Sequence, residues 1–110
     1  MALNTDFFVA PDAIKKTVDL TLTDGRVVSQ DVYVKELGVT EFRRYLLEER
    51  EAEEKGTDAR AAVLAALIAR TIVDEAGEPE MTIEQAGQLK PIVANSLRKF
   101  ILGANGLGEM

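Results

Sequence analysis

The sequence predicts a mainly α fold, an N-terminal β-hairpin followed by a bundle of three to four helices. Three observations carry that expectation. Between Thr17 and Val34 apolar residues alternate at period two, as in strands with one buried face. From Phe42 onward they recur at three- and four-residue spacing, as on helices with a core-facing stripe. Gly25, Gly38, Gly56, Gly77, Pro79 and Gly103 punctuate the chain where such elements have to end.

In the first strand Val18, Leu20 and Leu22 alternate with Thr17, Asp19, Thr21 and Thr23. Asp24-Gly25 is a tight-turn dipeptide, expected to supply the two positive-φ positions of a two-residue hairpin loop. Val28, Val32 and Val34 resume the alternation with Tyr33 on the opposite face, and Lys15-Lys16 guards the edge where the first strand starts. A lone hairpin is marginal in water, so this one has to pack on helices or pair with another chain.

Thr40 is the expected N-cap of the first helix, where Phe42, Tyr45 and Leu46 form a short apolar stripe. Glu48 to Lys55 is almost wholly charged around Ala52, which predicts a solvated continuation up to Gly56. Thr57 or Asp58 caps a second helix from Ala59 to about Val73, alanine-rich with Leu64, Leu67, Ile68 and Ile72 on its apolar face. Asp74 to Glu80 reads as a loop. Thr82-Ile83-Glu84-Gln85 has the capping-box pattern and predicts a short helix to about Gln88. Pro91 then fits the first turn of a last helix that presents Ile92, Val93, Leu97, Phe100 and Ile101 and stops at Gly103. The whole chain, 1–110, reads as one domain: an arm at 1–13, the hairpin at 14–36, the helical bundle at 40–102 and a flexible tail at 103–110.

Composition removes most chemistries. With no Cys there are no disulfides, thiolate metal sites or thiol nucleophiles. With no His there is no imidazole base for Ser29 or Ser96 and no imidazole metal ligand. Asp74-Glu75-Ala76-Gly77-Glu78 lacks the alternating acids and closing glutamate of a calcium loop, and the glycines at 103, 106 and 108 follow a helix instead of opening one. No catalytic, cofactor-binding or metal-binding residue is therefore expected. A net charge of −6, most of it in residues 38–80, is a poor footprint for nucleic acid. No apolar run is long enough to span a membrane, and the start of the chain lacks the pattern of a signal peptide.

An Asp-Gly hairpin runs into Val32-Tyr33-Val34, with a helix after Val39-Thr40-Glu41. A core helix ends in Ile72-Val73-Asp74-Glu75-Ala76-Gly77-Glu78-Pro79, followed by Met81-Thr82 and a last helix closing in Leu102-Gly103-Ala104-Asn105-Gly106-Leu107. In this order the features resemble the tail assembly chaperones of long-tailed bacteriophages, over about residues 14–107. The resemblance implies a non-catalytic protein that binds the tape measure protein, keeps it soluble and helps recruit tail-tube protein. It also implies a homo-oligomer, a partner in a frameshift-extended form of the same chain, residence in the host bacterial cytoplasm, and absence from the mature virion.

A client with exposed apolar helical stripes needs an apolar contact surface on its chaperone. Phe42, Tyr45 and Leu46 on the first helix and Leu97, Phe100 and Ile101 on the last are the candidate contacts, although core packing is the first reading of both stripes. The hairpin edge or the charged end of the first helix is the candidate for self-association. A small acidic regulator, such as an antitoxin or a nucleic-acid-mimicking inhibitor, is the alternative; its binding to a basic partner would weaken steeply with salt. A structural tail or head-completion protein would differ from the chaperone by staying in the particle.

Overall fold

The computed structural model describes residues 3–9 and 12–106. After a 3-10 turn at Thr5–Phe7, the strands β1 (Ile14–Thr21) and β2 (Val27–Val34) form an antiparallel hairpin in the register Ile14↔Val34 to Thr21↔Val27. The alternation holds in most positions: Leu20, Val32 and Val34 are buried and Val18 is half-buried, all on one face, whereas Val28 on that face is exposed. The turn differs from expectation. Leu22 N–H donates to Arg26 C=O at 2.7 Å and Gly25 N–H to Leu22 C=O at 2.9 Å, so the loop is Thr23-Asp24-Gly25. Among the described residues only glycines have positive φ; Gly25 (φ +88°) supplies the one left-handed position that a three-residue loop needs. Asp24 instead accepts from the Arg26 backbone N–H and its Nε, contacts that hold its carboxyl below the usual range.

Helix α1 (Val39–Lys55) starts two residues earlier than a Thr40 cap would allow. Its N-cap is Gly38, whose C=O takes the Phe42 N–H at 3.0 Å. At Gly56 (φ +112°) the chain ends α1 and turns directly into α2 (Thr57–Thr71), which packs back on α1. Gly56 itself is the N-cap, in place of Thr57 or Asp58.

The largest departure from the expected helix boundaries lies at the end of α2. Ile72 and Val73 leave the helix and form β3 (Ile72–Val73), antiparallel to β2 with Tyr33↔Val73 and Val34↔Ile72. The hairpin is therefore finished by its own chain as a sheet of order β1-β2-β3. Thr71 closes the last helical turn with its hydroxyl on Leu67 C=O at 2.7 Å, and its own C=O accepts Lys35 N–H at 2.9 Å, which commits the next two β-branched residues to the sheet. Helix accounts for 53% of the described residues and strand for 19%, so the fold is helix-dominated but its sheet is more substantial than "mainly α" conveys.

The Asp74–Glu80 segment is a loop, and its first residue builds it. Asp74 Oδ1 accepts from Ala76 N–H at 2.8 Å and Glu78 N–H at 3.0 Å. Helix α3 (Ile83–Gly87) opens with the predicted capping box, Thr82 and Gln85 each accepting from the other's backbone N–H. Pro91 is the first residue of α4 (Pro91–Ala104). That helix passes through Gly103, and Asn105 ties its end down by accepting from Leu37 N–H and donating to Ile101 C=O at 2.8 Å. Of the tail expected at 103–110, residues 107–110 lie outside the described residues.

The core lies between the sheet, α2 and α4. Val34, Leu67, Ile68, Val73 and Ile101 are sealed from solvent, with Val32, Ile72 and Leu97 around them.

Candidate protein-contact surface

Sequence spacing marks two helical stripes as candidate contacts, and the fold treats them differently. On α4, Leu97 and Ile101 are buried and Phe100 is half-buried, because this stripe is the one the sheet and α2 cover. On α1, Tyr45 is buried, Phe42 half-buried and Leu46 exposed. Leu46 is thus the candidate contact with the most free surface, and Phe42 borders it.

Tyr45 is held inside by polar contacts as well as packing. Its hydroxyl donates to Glu49 one turn later, and Arg98 on α4 donates to both: Nε to the Tyr45 hydroxyl at 3.0 Å and Nη2 to Glu49 Oε2 at 3.1 Å. Burial, followed by the Glu49 carboxylate, pushes the Tyr45 phenol up to about 12, against the opposing pull of Arg98. The triad pins α1 to α4. It also takes Glu49 out of the charged run, where Ala52 is buried too, so Glu48–Lys55 is solvated on one side only.

Three turns of α1 present what the sequence reading overlooked. Val39 is 86% exposed, and Leu46, seven residues later, lies on the same side two turns along. Phe42 stands between them at the border of the core, and exposed Leu47 extends the patch around the helix. The arm continues it: Phe7, Phe8 and Val9 are all exposed, and the Val9 side chain lies against Gly38 at the start of α1, 3.6 Å from where a Cβ there would sit. Two sequence signals were available. Leu46 and Leu47 widen the apolar side of α1 beyond the Phe42–Tyr45 stripe, and Phe7-Phe8-Val9 is an apolar run outside the hairpin and the helices.

Among the described residues no three acidic side chains converge as a metal site would require, and every buried polar side-chain atom has a hydrogen-bond partner. Among them also, no helix is long and apolar enough to cross a membrane. What the surface offers is apolar area for another protein, with carboxylates further along the same helix.

Comparison with known proteins bears on what that protein is. A family model described as phage tail assembly chaperone, TAC, matches residues 3–105. No curated protein and no solved structure matches the chain.

Proposed function

The chain belongs to the phage tail assembly chaperone family, and from that premise we propose that it binds the tape measure protein and keeps it soluble until the tail tube closes around it. It helps to recruit tail-tube protein to that complex, works in the host cytoplasm and is left behind when the virion is complete. The activity is binding, with no reaction and no cofactor.

The observation that carries this reading beyond the family is the open stripe on α1. A helical client exposes apolar stripes, and Val39, Phe42 and Leu46 offer a matching one beside the apolar arm. The acidic residues beyond Leu47 keep a loaded complex soluble. For self-association, with itself or with a frameshift-extended form, the supporting feature is the outer edge of β1, which pairs with no strand among the described residues. Its Lys15 lies over the Tyr33 ring (5.9 Å) and near Asp31 (3.9 Å).

Co-expression with a phage tape measure protein tests the reading. The wild-type chain is expected to move the client from the pellet to the soluble fraction and to co-purify with it. A folded Val39→Asp/Leu46→Asp variant is expected to lose both effects. A client that stays insoluble with the wild type overturns the proposal. Complexes that form with a basic partner and dissolve at moderate salt would support the acidic-regulator alternative instead.

A further inference from the structure

A cleft of about 450 Å³ opens where β3 ends and β2 continues without it. Its apolar floor includes Leu20 and Val32 of the sheet, Met81, and Val93 and Leu97 of α4. One wall is the edge of β2. The Leu22–Arg26 bond fixes the phase of the hairpin ladder: even-numbered residues of β2 bond to β1, so odd-numbered ones aim their N–H and C=O away from it. Tyr33 and Lys35 meet β3 and Thr71 on that side, whereas Ser29 and Asp31, next along the same ladder, have no backbone partner there among the described residues. Only the Asp31 C=O is engaged, by Gln30 Nε2 at 3.1 Å.

The rim has one sign of charge. Asp31, Asp74, Glu75 and Glu80 line the cleft, with no lysine or arginine among its lining residues. The Asp31 carboxylate is turned to the other face, where Thr17 and Lys15 engage it, and Asp74 Oδ1 is held within its own loop, which leaves Glu75 and Glu80 as the exposed carboxylates of the rim.

We propose that this cleft binds an extended segment of a partner protein as an added strand on β2, continuing the ladder that β3 begins. The incoming backbone pairs with Ser29 and Asp31. Its alternate side chains, apolar, enter the cleft over Val32 and Leu97, and Lys or Arg at its ends faces Glu75 and Glu80. The continuity of the β2–β3 ladder argues for a strand, and the acidic rim argues for a basic one. This surface is separate from the α1 stripe and does not rest on the helical-client reading.

The probe is a fluorescein-labelled seven-residue peptide alternating Val and Thr between lysine ends, titrated by fluorescence anisotropy. Saturable binding is expected, weakened about tenfold or more when glutamate replaces the terminal lysines. It should weaken similarly when alternate peptide nitrogens are methylated on the edge that faces β2. In the protein, Ser29→Pro removes an outward N–H without touching a β1 ladder bond, so it should abolish binding. Glu75→Lys/Glu80→Lys, on exposed positions, gives the same readout should the proline variant misfold. No saturation at millimolar peptide, equal affinity for the glutamate-ended peptide, or indifference to N-methylation overturns the proposal. So does sedimentation showing that wild-type chains dimerise and that Ser29→Pro makes them monomers, because the edge would then belong to a second copy.

Discussion

Helices α1 and α4 carry apolar stripes of similar spacing, yet one is roofed and the other is half open. On α4, Leu97 and Ile101 face both the sheet and α2. On α1, α2 packs along the helix and Arg98 of α4 reaches Tyr45 and Glu49, so Tyr45 and Ala52 are covered while Val39, Leu46 and Leu47 are not. The difference lies outside both helices, in the sheet, whose β1 packs against α4. By adding two residues to the sheet, β3 fixes the end of α2 against β2 and closes the layer that α4 packs on. Spacing shows that a helix has an apolar face; the neighbours decide whether that face is core or contact surface.

The comparison breaks if α4 tolerates truncation. Leu97→Ala or Ile101→Ala removes a buried core side chain and should cost about 2–5 kcal/mol, read as a shift in the urea midpoint at unchanged slope. For a chain of this size that is a large part of total stability, so partial unfolding at room temperature is an expected result.

The next largest effect lies at the one polar link between the two helices. Arg98→Ala leaves the buried Tyr45 hydroxyl and half-buried Glu49 without their shared donor, and the partial exposure of the pair limits the loss to about 1–2 kcal/mol. The same link sets an alkaline limit. The Tyr45 phenol is raised from 10.0 to about 12, so the fold favours its neutral form. That stabilisation is complete below pH 10 and is lost as the pH rises from there through about 12. Tyr45→Phe should flatten this part of the stability profile, measured by urea melts across the range. Thr82→Ala, which removes half of the capping box, should cost about 1 kcal/mol, independent of pH in that window.

Local patterns were the most legible part of the chain. The hairpin faces, the Thr82–Gln85 box and Pro91 at a helix start each depend on residues within a few positions of one another, and the fold contains all three. Ile72-Val73 was harder to read because it continues the apolar rhythm of α2, and its strand identity comes from Tyr33 and Val34 some forty residues earlier. The Tyr45–Arg98 link spans 53 positions and left no trace in spacing. For the contact surface, the sequence singled out Leu46 correctly as an apolar helical position but could not separate it from Tyr45 beside it. Val39 carries no such signal, because a Thr40 cap places it outside the helix that the structure starts there.

The smallest effect decides the most. If Val39 and Leu46 are contact surface, their replacement by Ala or Asp removes no buried side chain and should change stability by no more than about 0.5 kcal/mol. Losses of the size expected for Leu97 would mean that the stripe is covered in the folded chain and that both helices are core. An increase in stability would be the more telling departure, since an exposed apolar stripe kept against the folding interest of the chain has to be retained for something that binds it. Melts of Val39→Asp and Leu46→Asp with the client absent therefore come before any binding experiment: they establish whether lost binding can be assigned to the surface instead of to the fold.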